Sequence, residues 1–578
     1  MQNKNLSLRP YLQEIERYCH QLDRKQMTQL ILGLARQIDA QNRQKYLDTF
    51  HSILPQAGRE QSSVSDYDFS PLLADITELQ EKVRCRLESI EDYSYWDDPD
   101  EGDWEDDYYD EDSPPPLSSD QIEELNNCLG KANNIFITAD KQGARMVYGA
   151  LFSLIDEASC YGYMPEMEID LYETRARYIR CIYDLEPLER KGEAVLAAMY
   201  PTPREDDCEG IMPDDLPFLQ DVIDALPDEP EGLESFLPIW SGILALLNFR
   251  DDRIADLRLE AAYLEKGLDE VGHLVRKWGK EQPKGCIFWL KLLQNEKQWS
   301  QLKESAHLVL EILPAGRHRH KASEYLARAA EQLEDTETLL DGCREGFHSL
   351  PGRDTLIPLL IEAQRQQKRT EELNGALDFC TENISECGND LITRILIMSG
   401  KFAEAFSREK NAEPVGWTIN NTGLVYFSTL YLLCKGSPDC ILIDEGLHFY
   451  ADECCLHFTG FSGQTCDSAA TYREIITGLE GIILTDEECS RYWSWCRNMA
   501  DKRIRDILAN KYRSAYDRAA LVLAALAESL ILTDRPNEAK ALLQSYCCVE
   551  FNRFSAFRRE TRQVVGRSSL MRGWEKEL

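Results

Sequence analysis

The densest group of side chains that could ligate a metal ion lies between residues 440 and 466. A structural zinc site needs four sulfur or nitrogen ligands that converge as a tetrahedron, usually presented as two short-spaced pairs. Cys454 or Cys455 with His457 could supply one pair, but no C-x-x-C supplies the other. A metal site, a cysteine nucleophile with a histidine base and a set of ordinary core thiols therefore all stay open. The members of the group are Cys440, His448, Cys454, Cys455, His457 and Cys466.

Other catalytic patterns are absent from the sequence. It has no phosphate-binding GxxxxGKS/T or GxGxxG loop, no HExxH zinc motif and no GxSxG nucleophile elbow. With nineteen cysteines and nine histidines, chance pairs of a thiol and an imidazole form easily. We therefore assign no catalytic residue and no cofactor. We expect a protein that is not an enzyme, with a Cys/His metalloprotein as an alternative.

Four short polar breaks organise the middle of the chain, residues 285–411. Each is followed by apolar residues at helical spacing, and the breaks recur about every 32 to 36 residues, the period of tetratricopeptide-like helix pairs. In such an array each repeat contacts only its neighbours, and the array presents an extended surface. The spacing predicts an all-α fold built on a tetratricopeptide-like helical solenoid. The breaks begin at Gln298, Glu334, Lys368 and Gly400.

Composition divides the rest of the chain into helical and acidic parts. Three helices are predicted within residues 7–54, and single helices at 71–90, 252–278 and 424–434. Residues 91–120 hold fourteen carboxylates and no lysine or arginine, a composition that favours disorder. A turn signal at 435–439 precedes the last helices. The predicted parts are an N-terminal helical unit at 1–90, an acidic disordered linker at 91–118, the solenoid at 119–435 and a C-terminal helical unit at 436–578.

The formal net charge of −37 argues against nucleic acid and anionic membranes, and favours a protein partner with a basic surface. No apolar run approaches the roughly 18 residues of a membrane span. Abundant cysteine without a secretory signal indicates the cytoplasm. A basic run at 317–321 is expected to be a solvated helix start. Basic residues near the C-terminal end are expected to pair with acidic helices of this chain or with the acidic linker: Arg553, Arg558, Arg559, Arg562, Arg567, Arg572 and Lys576.

Two C-terminal stretches resemble a known group of proteins. Residues 501–520 (DKRIRDILANKYRSAYDRAA) and 537–543 (NEAKALL) are similar to the helical region of bacterial helical-repeat proteins, some of which accompany SWIM-type zinc fingers. The chain lacks the CxC and CxH ligand pairs of that finger, so zinc and nucleic-acid binding are not implied. The resemblance implies a helical scaffold.

The architecture is also similar to the helical substrate protein of a CRISPR-associated caspase-like protease. In that family a helical N-terminal part is severed from a smaller C-terminal part, which alters its hold on a sigma factor. The resemblance implies a cleavage turn at Cys434, Lys435 and Gly436, and a role in antiviral defence. This reading is an alternative to the function that the repeats favour, a protein-protein interaction scaffold or regulatory adaptor that binds its partner on the concave face of the solenoid.

Overall fold

The computed structural model describes residues 69–94, 115–137, 140–159, 167–200, 216–226, 228–413, 417, 421–452 and 468–578. These residues form 24 α-helices, with short 3₁₀ and π turns and no strand, which confirms the all-α class. The helices predicted within 7–54 lie outside the described residues, as does most of the acidic linker. The chain forms two compact units, Met1–Trp289 and Leu290–Leu578. The domain boundaries drawn from the sequence stay predictions.

The first unit contains nine complete helices within its described part. They are α1 (Ser70–Ser94), α2 (Ser119–Ile137), α3 (Lys141–Ser159), α4 (Leu171–Leu185), α5 (Leu188–Met199), α6 (Leu219–Asp224), α7 (Leu233–Ala245), α8 (Asp252–Lys266) and α9 (Leu268–Trp278). Helix α10 (Pro283–Asn295) contains the boundary between the units. The helix predicted at 71–90 is α1, and its apolar stripe is buried as expected. The stripe consists of Leu72, Ile76, Leu79, Val83 and Leu87.

The prediction of a single helix at 252–278 is wrong, because the helix is interrupted at Gly267 and two helices form instead. This glycine has φ +81° and ψ −168°, a conformation that a side chain would strain. The amide of Gly267 donates to the carbonyl of Tyr263 and ends α8, and α9 begins at Leu268. Apolar periodicity continued across the glycine, so the pattern alone did not reveal the break.

The second unit contains the remaining helices. They are α11 (Trp299–Ile312), α12 (Arg317–Gln332), α13 (Thr336–Ser349), α14 (Arg353–Arg365), α15 (Arg369–Glu382), α16 (Ile384–Met398), α17 (Phe402–Glu409), α18 (Thr422–Leu433), α19 (Ile441–Asp452), α20 (Ser468–Leu479), α21 (Asp486–Ala509), α22 (Tyr516–Leu532), α23 (Pro536–Gln544) and α24 (Ser555–Val565). The helix predicted at 424–434 is α18, and ten of its residues are buried. No described helix in either unit has the length and apolar character that a membrane span requires.

From α11 to α17 the helices follow each other as packed pairs. Each of α11 to α16 packs against the next along the chain. Polar contacts also join alternate helices. The Lys303 Nζ atom of α11 lies 3.0 Å from Asp335 at the start of α13, and Arg344 of α13 lies 2.6 Å from Glu372 of α15. We call α11, α13 and α15, which these ion pairs join in series, one layer; α12 and α14 lie between them along the chain. This confirms the helix-pair repeat in this part of the second unit.

The four polar breaks adopt one backbone turn. Lys297, Glu334, Gln367 and Gly400 have φ of 56°, 56°, 60° and 75°, the left-handed region. After each, the next amide donates to the carbonyl five residues earlier, the closing bond of a Schellman motif. This bond satisfies a carbonyl that the helix end would leave without a partner. The bonds are Gln298 to Leu293 (3.0 Å), Asp335 to Ala330 (2.9 Å), Lys368 to Ala363 (2.8 Å) and Lys401 to Leu396 (2.9 Å).

A second group of helices in this unit surrounds α22. Every residue from 519 to 530 is buried, and α22 packs against α18, α19, α21, α23 and α24. A long apolar helix at the centre of other helices is typical of a globular core rather than of an open repeat. The unit therefore joins a run of helix pairs to a helix that is enclosed on all sides.

In the first unit, a buried carboxylate holds the start of α6. The Glu260 carboxylate, on α8, accepts from the amides of Leu219 and Gln220 at 2.8 Å each. Arg253 donates to the Pro217 carbonyl just before the helix at 2.7 Å. Burial raises the pKa of Glu260 to about 7, from an ordinary value of 4.5. The protonated form of Glu260 therefore favours the folded state. Its contribution to the free energy of unfolding is complete below pH 4.5 and is lost as the pH rises to about 7.

Gln367→Gly should raise the free energy of unfolding by about 0.5–1 kcal/mol, because glycine enters the left-handed region without steric cost. The matched control is Gln364→Gly, at an exposed position in the last turn of α14, which should lower it by about 0.5–1 kcal/mol, since glycine disfavours the helix. Urea unfolding of both variants measures the difference. Equal destabilisation by the two glycines would contradict the role given to this turn.

Glu260→Gln should gain stability relative to the natural chain as the pH rises from about 5 to about 8, because the amide keeps an acceptor for α6 but does not ionise. Unfolding at a series of pH values gives the difference, and hydrogen exchange at Leu219 and Gln220 localises it. A difference that stays constant with pH would show that Glu260 does not titrate in this range.

Candidate functional site

The predicted Cys/His group is only partly within the described residues. Cys440 is buried just before α19, and burial raises the pKa of its thiol to about 11, so the reactive thiolate is disfavoured. The His448 imidazole, on α19, stacks on the Tyr472 ring with centroids 3.6 Å apart. Cys454, Cys455, His457 and Cys466 lie outside the described residues. Among the residues that are described, no group of three or more His, Cys, Asp and Glu side chains could hold a metal ion.

Helix α19, which leads into that group, is held at both ends by buried charges. The Glu528 carboxylate accepts from the amides of Leu442 and Ile443, at 2.8 and 3.1 Å, and from the Ser568 hydroxyl at 2.7 Å. At the other end Arg394 donates to the carbonyls of Tyr450 and Ala451 at 3.1 Å each. An anion at the N-terminus and a cation at the C-terminus both complement the helix dipole.

The predicted cleavage turn is compact and hydrogen-bonded. Lys435 is exposed and has φ 53°, Gly436 has φ 61°, and Cys434 is buried. The Gly436 amide donates to the Tyr431 carbonyl at 3.0 Å, the same closing bond as in the repeat breaks. A protease that binds its substrate as an extended strand would have to open this turn first. The role of these residues as a cleavage site stays a prediction.

Three of the C-terminal arginines bind acceptors of the second unit. Arg558 donates to the Leu578 carbonyl at 2.9 Å, Arg559 pairs with Glu560 at 2.9 Å, and Arg567 pairs with Glu445 of α19. The last pair joins the C-terminal segment to an acidic residue of another helix. The acidic linker, the other partner expected for these residues, lies outside the described residues for most of its length.

A cleft of about 330 Å³ opens between α11, α12 and α13, in the middle of the predicted repeats. Its lining is mostly charged and includes two buried leucines. Small-molecule pockets are usually lined by apolar and aromatic residues, with few polar groups, so this cleft is better suited to a charged side chain. The lining residues are His307, Leu310, Glu311, Arg319, Leu326, Asp341, Arg344 and Glu345.

Both arginines of the cleft are bound to acceptors of the chain itself. Arg344 donates through Nε and Nη2 to Glu372 at 3.0 and 2.6 Å, and through Nη1 to Asp341 at 2.6 Å. Arg319 donates to Glu345 at 2.7 Å and to the Leu313 carbonyl at 2.9 Å, at the end of α11. The basic run at 317–321 is thus partly structural, although it was expected to be solvated. Because each guanidinium already binds a carboxylate of the chain, neither is available to bind an anionic ligand without losing that ion pair.

The layer of α11, α13 and α15 exposes carboxylates but no lysine or arginine among its described residues. Its exposed acidic residues are Glu304, Glu311, Glu337, Glu371, Asp378 and Glu382. Its lysine and arginine residues all form ion pairs within the chain: Lys303 with Asp335, Arg344 with Glu372 and Arg369 with Glu474. Sequence reasoning missed these pairs, because Glu372, which is buried, follows the exposed Glu371 with nothing to distinguish the two. The only signal was the repeat spacing, which places Arg344 and Glu372 in successive repeats.

Comparison with known proteins does not identify the chain. No family model matches it, and no curated protein matches it. A solved structure described as a "circular tandem repeat protein with novel repeat topology and enhanced subunit contact surfaces" aligns with 79% of this chain and 94% of its own. Its sequence identity is 11% and its TM-score 0.19, which is too low to support an argument about architecture or function.

Glu528→Ala should lower the free energy of unfolding by about 3 kcal/mol, because it leaves two buried amides and a hydroxyl without their acceptor. Glu528→Gln keeps an acceptor oxygen at the same place and should cost about 1 kcal/mol or less. Urea unfolding of both variants measures these values. Equal losses for alanine and glutamine would mean that the carboxylate does not hold the start of α19.

Proposed function

We propose that the chain is a protein-binding scaffold, and that the layer of α11, α13 and α15 binds a basic segment of its partner. The observation that carries this proposal is the cleft, where the carboxylates outnumber the arginines and both arginines are already paired. A lysine or arginine side chain of a partner could enter it and meet Glu311 at its edge. An anionic ligand would have to displace an existing ion pair.

The repeat geometry favours a peptide over a small molecule. Ion pairs join the alternate helices in series, and we expect their exposed side chains to form a strip rather than a closed chamber. Repeat proteins use such strips as extended binding surfaces. The formal charge of −37 adds a long-range attraction for basic partners, which raises the association rate at low ionic strength.

The cytoplasm is the compartment that we propose for this interaction. Thirteen described cysteines are free thiols, and most of them are buried. Chains rich in free thiols are typical of reducing compartments. The resemblance of the C-terminal helices to those of bacterial helical-repeat proteins agrees with a scaffold in such a setting.

A fluorescein-labelled arginine-rich peptide of about twelve residues should bind the chain, and Glu311→Lys should weaken that binding about tenfold, because the reversed charge lies at the edge of the cleft. Fluorescence anisotropy measures the affinity. The matched control is Glu331→Lys on α12, which makes the same charge change at an exposed position away from the cleft and should change the affinity less than about twofold.

Equal weakening by the two lysine variants would show that the peptide responds only to net charge, and would count against the cleft. Binding of the natural chain should also fall steeply between low salt and about 0.5 M salt, because exposed charges are screened over a few ångströms there. Salt-insensitive binding would contradict the electrostatic basis of the proposal.

A further inference from the structure

Helix α7 in the first unit has a solvent-facing side without charge after its first turn. Its inner side is fully buried through Phe236, Trp240 and Leu244. Positions three and four apart lie on the same side of a helix, and those opposite the buried residues are apolar or small. We call this exposed set the α7 stripe: Ser235, Pro238, Ile239, Gly242, Ala245 and Leu246.

The α7 stripe is unusual for a surface helix. The side of such a helix that faces solvent normally carries charged residues, and a contiguous exposed apolar patch commonly marks an interaction site. Leu246 is 87% exposed. A polar residue at this position would cost the core nothing, so core packing does not explain the leucine. Helix α5 packs beside α7, where Ile243 lies against Gly192. Leu188, one turn before Gly192 on α5, is also 40% exposed.

Gly242 is not required by packing within the chain. A Cβ atom at this position would meet no atom within 4 Å, and the residue has ordinary helical backbone. Glycine in the middle of a helix costs about 0.5–1 kcal/mol relative to alanine. Its usual benefit is the close approach of another backbone. The position therefore suits a second helix that packs directly on the stripe.

The N-terminal end of the stripe is acidic. Four exposed carboxylates lie there: Asp228, Glu229, Glu231 and Glu234. The nearby Lys191 is buried, with its ammonium 3.9 Å from the centre of the Tyr183 ring, and of these four carboxylates it interacts with Glu231. Past the other end, Arg250 is already paired with Glu281 at 2.9 Å. A ligand on the stripe would therefore meet apolar surface along its length and negative charge at one end.

We propose that the α7 stripe binds an amphipathic helix of a partner protein, with apolar residues at positions i, i+3, i+4 and i+7 and lysine or arginine at one end. Recognition of a helix in this way uses its apolar side for affinity, and the carboxylates at the N-terminal end of the stripe fix its direction. This surface lies in the first unit and is independent of the cleft proposed above.

The test uses the full chain and a labelled 18-residue peptide with a leucine stripe at that spacing and lysines at one end. Fluorescence anisotropy at about 0.15 M salt measures its affinity. Leu246→Glu should weaken binding at least about tenfold. Ile483→Glu is the matched control, since Ile483 is 92% exposed in the second unit, and it should leave the affinity unchanged. Equal affinities of the two variants would overturn the proposal.

Gly242→Ala separates docking from folding. It should stabilise the chain in urea unfolding, because alanine favours the helix and the added methyl has open space. It should also weaken peptide binding several-fold, because the methyl keeps the partner backbone away. A variant that is more stable and binds equally well would overturn the close approach of a second helix.

Two further measurements test the kind of partner. A peptide with the same leucine stripe but glutamates in place of the lysines should bind at least about tenfold more weakly, and equal binding would overturn the basic partner. Sedimentation of the natural chain and of Leu246→Glu tests a second copy as the occupant. Self-association that Leu246→Glu abolishes would overturn the proposal in favour of that copy, and identical monomers would support it.

Discussion

The satisfaction of helix ends is the constraint on which this structure depends. Each helix leaves amides at its start and carbonyls at its end without partners inside the helix, and a chain of short helices has many such ends. The breaks at Lys297, Glu334 and Gln367 meet the requirement with one left-handed turn, although the residues are not glycine. The same turn recurs at Lys511 and Asp534, outside the repeats. The turn is short and reverses the direction of the chain, so that successive helices can pack against each other.

Where helices do not follow each other as simple pairs, buried ionisable side chains provide the partners for helix ends. Glu260 and Glu528 lie within helices of different units, yet each accepts two consecutive amides at the start of another helix. Arg180 and Arg394 donate to the carbonyls at helix ends. A buried charge is costly unless it is hydrogen-bonded, and the partial charge of a helix end supplies such partners. These contacts fix helices whose positions the chain connections leave open.

The same principle separates structural charge from charge available for binding. In the cleft of the second unit, Arg319 and Arg344 are committed to the fold, whereas exposed carboxylates remain at the surface. On α11, α13 and α15, negative charge is therefore exposed rather than neutralised. The α7 stripe has a different chemistry, because its exposed positions are apolar or small and a Cβ atom at Gly242 would meet no atom of the chain within 4 Å. Both the cleft and the α7 stripe therefore combine acidic side chains with exposed residues that core packing does not require: Glu311 in the cleft and Gly242 in the stripe.

The sequence by itself determined the local structure. Periodicity predicted α1, with Ile76 and Leu79 in its core, and the polar breaks predicted the helix pairs, because helical spacing and turn composition act over a few neighbouring residues. Tertiary structure alone decided the rest. It distinguished the buried Glu372 from the exposed Glu371, and assigned Glu528 to the start of α19. The physical reason is that burial and hydrogen-bond partners depend on residues far apart in the chain, which no local pattern records.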